Sequence, residues 1–360
     1  MLAIPPFFKT IKFQLSAMLL ASFYIMLLFT WQYKQTIITE DMPIFLQVDE
    51  KTKQLANPIT VGIHINSFPE FSFYQNNFTI DAIVWFRFAK ASESLDTLNM
   101  FTFENSKMLE NGELIYKSKP MIKILDKDVV VSYHVQANFM SDLKFKKFPI
   151  SDHRLNIILQ NRSATAEEIV FVTDPKNLTL SGNIMVKNWV PKKMAASAGY
   201  VKSVINQDQK DMHITYPAAA FSIDFEGQGA QLPISLYFPL FLLFFIILIS
   251  LMLSLSDSNR LSLASAGVPA LVLFRLVIDA VSPSTGYPTH IDQVYYMISF
   301  LSLIILFFQT YIVLIAQKDK DTLSHEKVLL HSNKLENVNA LMFVGVLVLL
   351  IVFLTISFVW

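Results

Sequence analysis

Four apolar stretches follow one another after residue 232, and a fifth lies near the N-terminus. They are Leu15–Trp31, Ile234–Leu253, Leu261–Val281, Val294–Ala316 and Ala340–Trp360. Each is about long enough, at roughly 1.5 Å per residue, to carry a helix across about 30 Å of hydrocarbon. Hydrocarbon offers no partner to a backbone N–H or C=O, so an open chain satisfies these groups there only as a helix. The chain is 53% hydrophobic, too apolar for an ordinary soluble protein, and the excess sits in these stretches. Residues 1–35 are therefore expected to form an anchor helix and 233–360 a set of four membrane helices.

The flanking charges give these spans a direction. Lys9 and Lys12 precede the first span, which ends in Phe-Thr-Trp-Gln-Tyr-Lys and lacks the small residues of a cleavage site. An uncleaved anchor with its N-terminus in the cytoplasm follows. The loops around Arg260 and Lys318–Lys334 then fall inside. The loop Ser282–His290 and the C-terminus, without lysine or arginine, fall outside. The protein is expected to be a multi-pass protein of the cell (inner) membrane, with residues 36–232 periplasmic or extracellular.

Those residues read as strands. ITVGIHINSF, FTIDAIVWFRF, VVVSYHVQANF, HRLNIILQN, EEIVFVTD and AAFSIDFEG are rich in β-branched and aromatic residues and in part alternate polar with apolar. Turn signals separate them. About eight to ten strands with no strong amphipathic helix predict an extracellular antiparallel β-sandwich. The net charge is zero and no basic run stands out, which argues against nucleic acid as a partner. The absence of cysteine excludes disulfides and thiolate chemistry.

The segment Asp257–Gln293 is unusual among the spans. Ser262, Ala266, Pro269, Leu273, Leu276 and Ala280 step by four, three, four, three and four, so one helix face is small or apolar. Such a face either packs against another helix or lines a path. Arg260 opens the helix, and Arg275 and Asp279 lie near its end. Charges in a span need a partner or a water-filled route. Arg275 and Asp279, four apart, suit an ion pair or a charged ring.

These pieces resemble the pentameric ligand-gated ion channels, in particular their cysteine-free prokaryotic members, over roughly residues 55–360. Three motifs carry the resemblance. Phe148-Pro149-Ile150-Ser151-Asp152-His153-Arg154-Leu155 is similar to the family's FPFD-x-Q-x-L loop, with Ser151 and His153 in place of Asp and Gln. Arg260-Leu261 opens the second core helix, with Pro283 beyond its end. Tyr287-Pro288-Thr289-His290-Ile291-Asp292-Gln293 is similar to the Y-x-T-x-I-D loop. Gln231 stands where the family has arginine, Pro269 where it has the mid-pore leucine, and the first span is an addition.

The resemblance implies a homopentamer with a four-helix transmembrane pore domain whose second core helix lines an ion path; Pro269, lacking a backbone donor, is expected to kink that helix and shift its constriction outward to Leu273 or Leu276. It implies selectivity or mouth positions at Asp257, Asn259, Arg260 and Asp279, with a lean to cations from Asp257. Ligand contacts would fall at Trp85, Arg87, Phe103, Asn105, Arg162 and Tyr216. Coupling between the domains would use Phe148, Pro149, His153, Tyr287 and Asp292. Permeant ions, membrane lipid and a small extracellular ligand or protons are the expected partners, and no cofactor or metal is implied.

The seven histidines show no metal-ligand spacing, and no nucleotide-loop or nucleophile-elbow motif is present. A channel is therefore the first expectation, and a non-conducting receptor or scaffold of the same fold the second. A membrane-anchored enzyme lacks a catalytic constellation in the sequence.

Overall fold

The computed structural model describes the chain apart from residues 1–4, 34–37, 39, 47–56, 73–75, 91–94, 105, 107–115, 142, 166, 183, 185, 187–188, 205–212, 228–229, 256, 258, 323–324 and 360. In chain order the elements are α1 (Ile11–Tyr33), β1 (Asn57–Ser72), β2 (Asn77–Ala89), α2 (Leu95–Asn99), β3 (Thr102–Phe103), β4 (Tyr116–Lys117), β5 (Met121–Ile124), β6 (Asp128–Met140), β7 (His153–Gln160), β8 (Ile169–Val172), β9 (Leu178–Leu180), β10 (Trp189–Val204), β11 (His213–Gly227), α3 (Gln231–Ile249), α4 (Asn259–Val281), α5 (His290–Thr322) and α6 (His325–Val359). They form two compact units. One comprises Ile37–Lys144 and Ser151–Gln228; the other comprises Met1–Thr36, Phe145–Ile150 and Gly229–Trp360.

The first unit is sandwich-like. One sheet runs β4-β6-β2-β1-β8, with β5 on β6 and β9 on β1; the other runs β10-β11-β7-β3. Alternation decides which side of β2 is buried: Ala82, Val84, Phe86 and Phe88 turn inward, while Asp81, Ile83, Trp85 and Arg87 turn outward. Aromatic rings join the sheets. Phe103 meets Phe139 edge-on at 5.3 Å between centroids, and Phe68 meets Phe225 at 5.8 Å. Of these rings Phe103, Phe139 and Phe225 are buried, and each contributes on the order of 1.5–3 kcal/mol.

Two expectations need correction here. The sandwich is not wholly antiparallel, because β8 and β9 both run parallel to β1. β10, absent from the expected strands, is a 16-residue partner of β11. Its sequence, WVPKKMAASAGYVKSV, has few β-branched residues, and its pairing along the whole of β11 outweighs weak local preference.

In the second unit, five helices among the described residues are long and apolar enough to cross a membrane. α4 packs on α3 and α5, α5 on α3 and α6, and α1 on α6. The α3–α4 approach is close. A Cβ at Gly267 would collide with the Ile247 side chain, so glycine is what lets the two backbones meet. α1 buries Gln14, Ala21, Ile25 and Gln32 along one face. Tyr24 Oη shares a hydrogen bond of 2.8 Å with Thr355 Oγ1 on α6. Phe29 sits 4.5 Å from the Tyr237 ring and 4.9 Å from the Phe358 ring.

The polar stretch after residue 316 is expected to be a loop, yet it belongs to helices. α5 continues to Thr322 and α6 begins at His325. QKDKDTLSHEKVLLHSNKLENVN contains neither proline nor glycine and many good helix formers, which favours extending both helices into it. Asp319 Oδ2 and His331 Nδ1, 2.6 Å apart, tie the two extensions together.

Gly267→Val is expected to lower the thermal midpoint of the detergent-solubilised protein, with overpacking costing about 1–3 kcal/mol. Gly345→Ala, where a Cβ meets nothing within 4 Å, is expected to leave it unchanged. A tryptophan-fluorescence melt compares the two.

Candidate functional site

α4 divides cleanly into two faces. Arg260, Ala264, Gly267, Leu271 and Ile278 are buried within the helical unit. Ser262, Ala266, Pro269, Leu273, Leu276 and Ala280 all lie exposed on the opposite side, Leu273 and Leu276 at 66% each. The stripe read from the spacing is thus a contiguous surface of this chain, uncovered by its own helices. Pro269 lies inside the helix, which runs unbroken from Asn259 to Val281.

The charges around this helix are held in different ways. The carboxylate of Asp257 accepts the Asn259 backbone N–H at 2.9 Å and so caps the helix start. Arg260, expected at an exposed mouth, is instead fully buried. Its Nη2 donates to Asn339 Oδ1 on α6 at 2.6 Å, and Asn339 Nδ2 donates to the Leu251 carbonyl at 2.5 Å. An apolar setting leaves a guanidinium no better course than to turn toward an amide oxygen. At the other end Arg275 lies 2.7 Å from Asp279 and 2.5 Å from Asp292. Asp292 also accepts the backbone N–H and the hydroxyl of Thr289, each at 2.7 Å, and so caps α5. The expected Arg275–Asp279 pair is therefore one arm of a two-helix network, and Asp279 keeps half of its side chain exposed.

The loop Phe145–Ile150 belongs to the helical unit. Phe145 N–H donates to the Tyr287 hydroxyl at 2.9 Å, and Ile291 N–H donates to the Phe148 carbonyl at 3.3 Å. Phe148 is buried and precedes a cis peptide bond to Pro149. Tyr237 Oη and His290 Nδ1 are hydrogen-bonded nearby, and the His290 ring packs 4.5 Å from Phe358. Four of the expected coupling residues, Phe148, Pro149, Tyr287 and Asp292, thus gather at the α4–α5 connection.

The fifth, His153, lies in the sandwich unit. It is 1% exposed, with Nδ1 2.8 Å from Glu40 Oε1 and Nε2 3.1 Å from Ser151 Oγ. This hydroxyl–imidazole–carboxylate series has the spacing of a nucleophile relay, but all three side chains are more than nine-tenths buried, leaving no approach for a substrate. Glu40 also accepts the backbone N–H groups of Lys144 and Arg154 at 3.1 and 3.0 Å. Burial opposes ionisation of Glu40. The His153 ring and the Arg154 and Lys144 amides outweigh it and hold the carboxyl below its ordinary value. Beside it, Arg154 pairs with Asp224 through Nε at 2.6 Å and Nη2 at 3.0 Å, which raises its own pKa. Sequence reasoning missed Glu40, which stands outside every motif and every strand.

The expected ligand residues do not converge. Trp85 lies on the outer face of β2 with its ring over Gly62, where a Cβ would strike it. Arg87, on the same face, pairs with Asp128. Phe103 is a correction: it is buried between Phe101 and Phe139 in the core and offers no face to a ligand. Arg162 stands 5.7 Å from the Tyr216 ring, a cation–π pair. Asn105 lies outside the described residues. An ammonium over aromatic rings does occur within the chain: Lys117 Nζ is 3.7 Å from the Phe101 centroid and 5.1 Å from that of Tyr133, and burial lowers its pKa to about 8. Among the described residues no cluster of His, Asp and Glu could hold a metal ion.

Compared with protein-family models and with curated proteins, the chain matches none.

A carboxyl whose native pKa is lowered stabilises the fold fully above its ordinary value of 4.5, and loses that contribution as pH falls through the lowered value. The stability gap between wild type and Glu40→Gln is therefore expected to be widest near neutral pH and to close under acid, as read from thermal midpoints across pH.

Proposed function

We propose that the protein is a subunit of a homopentameric ion channel of the pentameric ligand-gated type, opened by a small extracellular ligand or by protons. The exposed stripe on α4 is the observation that carries this reading. A membrane helix that keeps one small and apolar face away from its own helices, while burying the opposite face, suits a ring of five such helices around a path for ions. The resemblance of the Phe148-Pro149, Arg260-Leu261 and Tyr287–Gln293 segments supports the same reading, as does their order along the chain.

In this reading α3 to α6 form the four-helix domain of each subunit and α1 stands outside it as a fifth helix. The sandwich unit lies outside the cell membrane, and α4 runs from a cytoplasmic Asn259 to an extracellular Val281. Rings of Leu273 and Leu276 narrow the path and close it by expelling water. Pro269 lacks a backbone donor, so the helix around it bends at lower cost. A tilt of α4 then widens the leucine rings and lets water in. The loop Phe145–Ile150, bonded to Tyr287 and to Ile291, is continuous in sequence with β6 before it and β7 after it. Asp279, half exposed beside the stripe, is better placed than the capping Asp257 to favour cations at one mouth, while Arg260 is withdrawn from the path.

Purified protein in planar bilayers tests the reading. Leu273→Ser is expected to hydrate the constriction and raise open probability, and Asp279→Asn to reduce cation preference and conductance. Unchanged opening in Leu273→Ser removes the gate assignment. Absence of current from a well-folded pentamer across pH and a panel of amines favours a non-conducting receptor of the same fold.

A further inference from the structure

The loop Phe145–Ile150 has two stems, Lys144 on one side and Ser151–Arg154 on the other. No cysteine is available to join them. One carboxylate touches both. Glu40 takes the Lys144 amide on Oε1 at 3.1 Å and the Arg154 amide on Oε2 at 3.0 Å. His153 Nδ1 lies on Oε1 at 2.8 Å, and its other nitrogen reaches Ser151 Oγ at 3.1 Å. Neighbouring contacts repeat the pattern. Ile38 bridges to Asp152, the Glu40 carbonyl accepts Arg154 Nη1 at 3.4 Å, and Asp41 pairs with Lys144 Nζ at 3.0 Å. Glu40 and His153 are both buried, so water competes little for these bonds.

We propose that Glu40 is a positioning residue that staples the two stems of the Phe145–Ile150 loop, doing by charge-assisted hydrogen bonds what a covalent cross-link between them would do. Bonds from amides to a carboxylate are about twice as strong as neutral ones, and here one group holds both ends of a loop at a single point. Glu40 follows α1 closely in sequence, and with Ile38 and Asp41 it lies against both stems. The effect on opening rests on the channel reading; the staple itself does not.

Hydrogen exchange resolved to single amides, on the full-length protein in nanodiscs, tests the staple. Glu40→Ala is expected to speed exchange at both the Lys144 and Arg154 amides by about tenfold or more, with β10 and β11 unchanged. Glu40→Gln is milder for folding and more telling, because its amide keeps one acceptor oxygen and turns N–H donors toward the other site. It is expected to expose one of the two amides and spare the other. Unchanged protection at both amides in a folded variant overturns the proposal, and so does a uniform rise across both sheets, which marks general destabilisation. In bilayers, with primary amines as the activating probe, Glu40→Gln is expected to shift the activation midpoint by about tenfold at unchanged single-channel conductance. If the wild type passes no current the channel reading fails, while exchange still decides the staple. A changed conductance with an unmoved midpoint overturns the positioning role.

Discussion

The Arg275–Asp292 contact ties the last turns of one membrane helix to the first turn of the next. A charge beside hydrocarbon is costly without a partner, and here the Asp292 side chain is 9% exposed and that of Arg275 26%. Asp292 spends its second oxygen on Thr289, so one carboxylate both neutralises a neighbour and starts α5. The same constraint orders the rest of the helical unit. Arg260 reaches Asn339, Asn339 reaches the Leu251 carbonyl, and Gln309 Nε2 reaches Ser250 Oγ at 3.2 Å. These interhelical polar contacts fix which faces of the helices turn inward. What remains outward on α4 is the stripe, with Val272, Val277 and the half-exposed Asp279 beside it.

The sandwich unit solves a different problem. Its core is rich in aromatic rings, most of them edge-on or tilted to one another and Phe78 stacked on Phe139, and it tolerates little change in volume. Its polar network is gathered instead around Glu40, His153, Arg154 and Asp224, next to the loop that leaves the unit at Lys144 and returns at Ser151.

Much of this was legible in the sequence, and the exceptions have physical causes. The five spans are long and continuous, and their length alone demands helices. The α4 stripe survived because a helix period maps straight onto a face. β2 and β6 were readable because each buries a single face, so apolar and polar residues alternate. β10 was not readable, since its alanines, serines and lysines express no strand preference and only its partner makes it a strand. The helical extensions beyond residue 316 were masked by their charge, which signals solvent rather than loop. Phe103 and Arg260 show the limit most clearly. Their residue types suited a binding site and a mouth, but burial depends on neighbours distant in sequence. Glu40 lay outside any pattern because its importance comes from converging backbone amides, which leave no trace in residue type.

The position of α1 carries one more consequence. In a unit of four membrane helices the last one is met by acyl chains along its outer side. Here Tyr24 and Phe29 occupy part of that side of α6, and Ile11, Leu15, Leu19, Phe23, Met26 and Trp31 present a new apolar rim instead. α1 covers only part of α6, which keeps Leu341, Val348, Leu349, Val352 and Ile356 exposed elsewhere on its surface. On the covered part, Phe358 and Tyr237 meet the Phe29 ring of α1 rather than the outer surface.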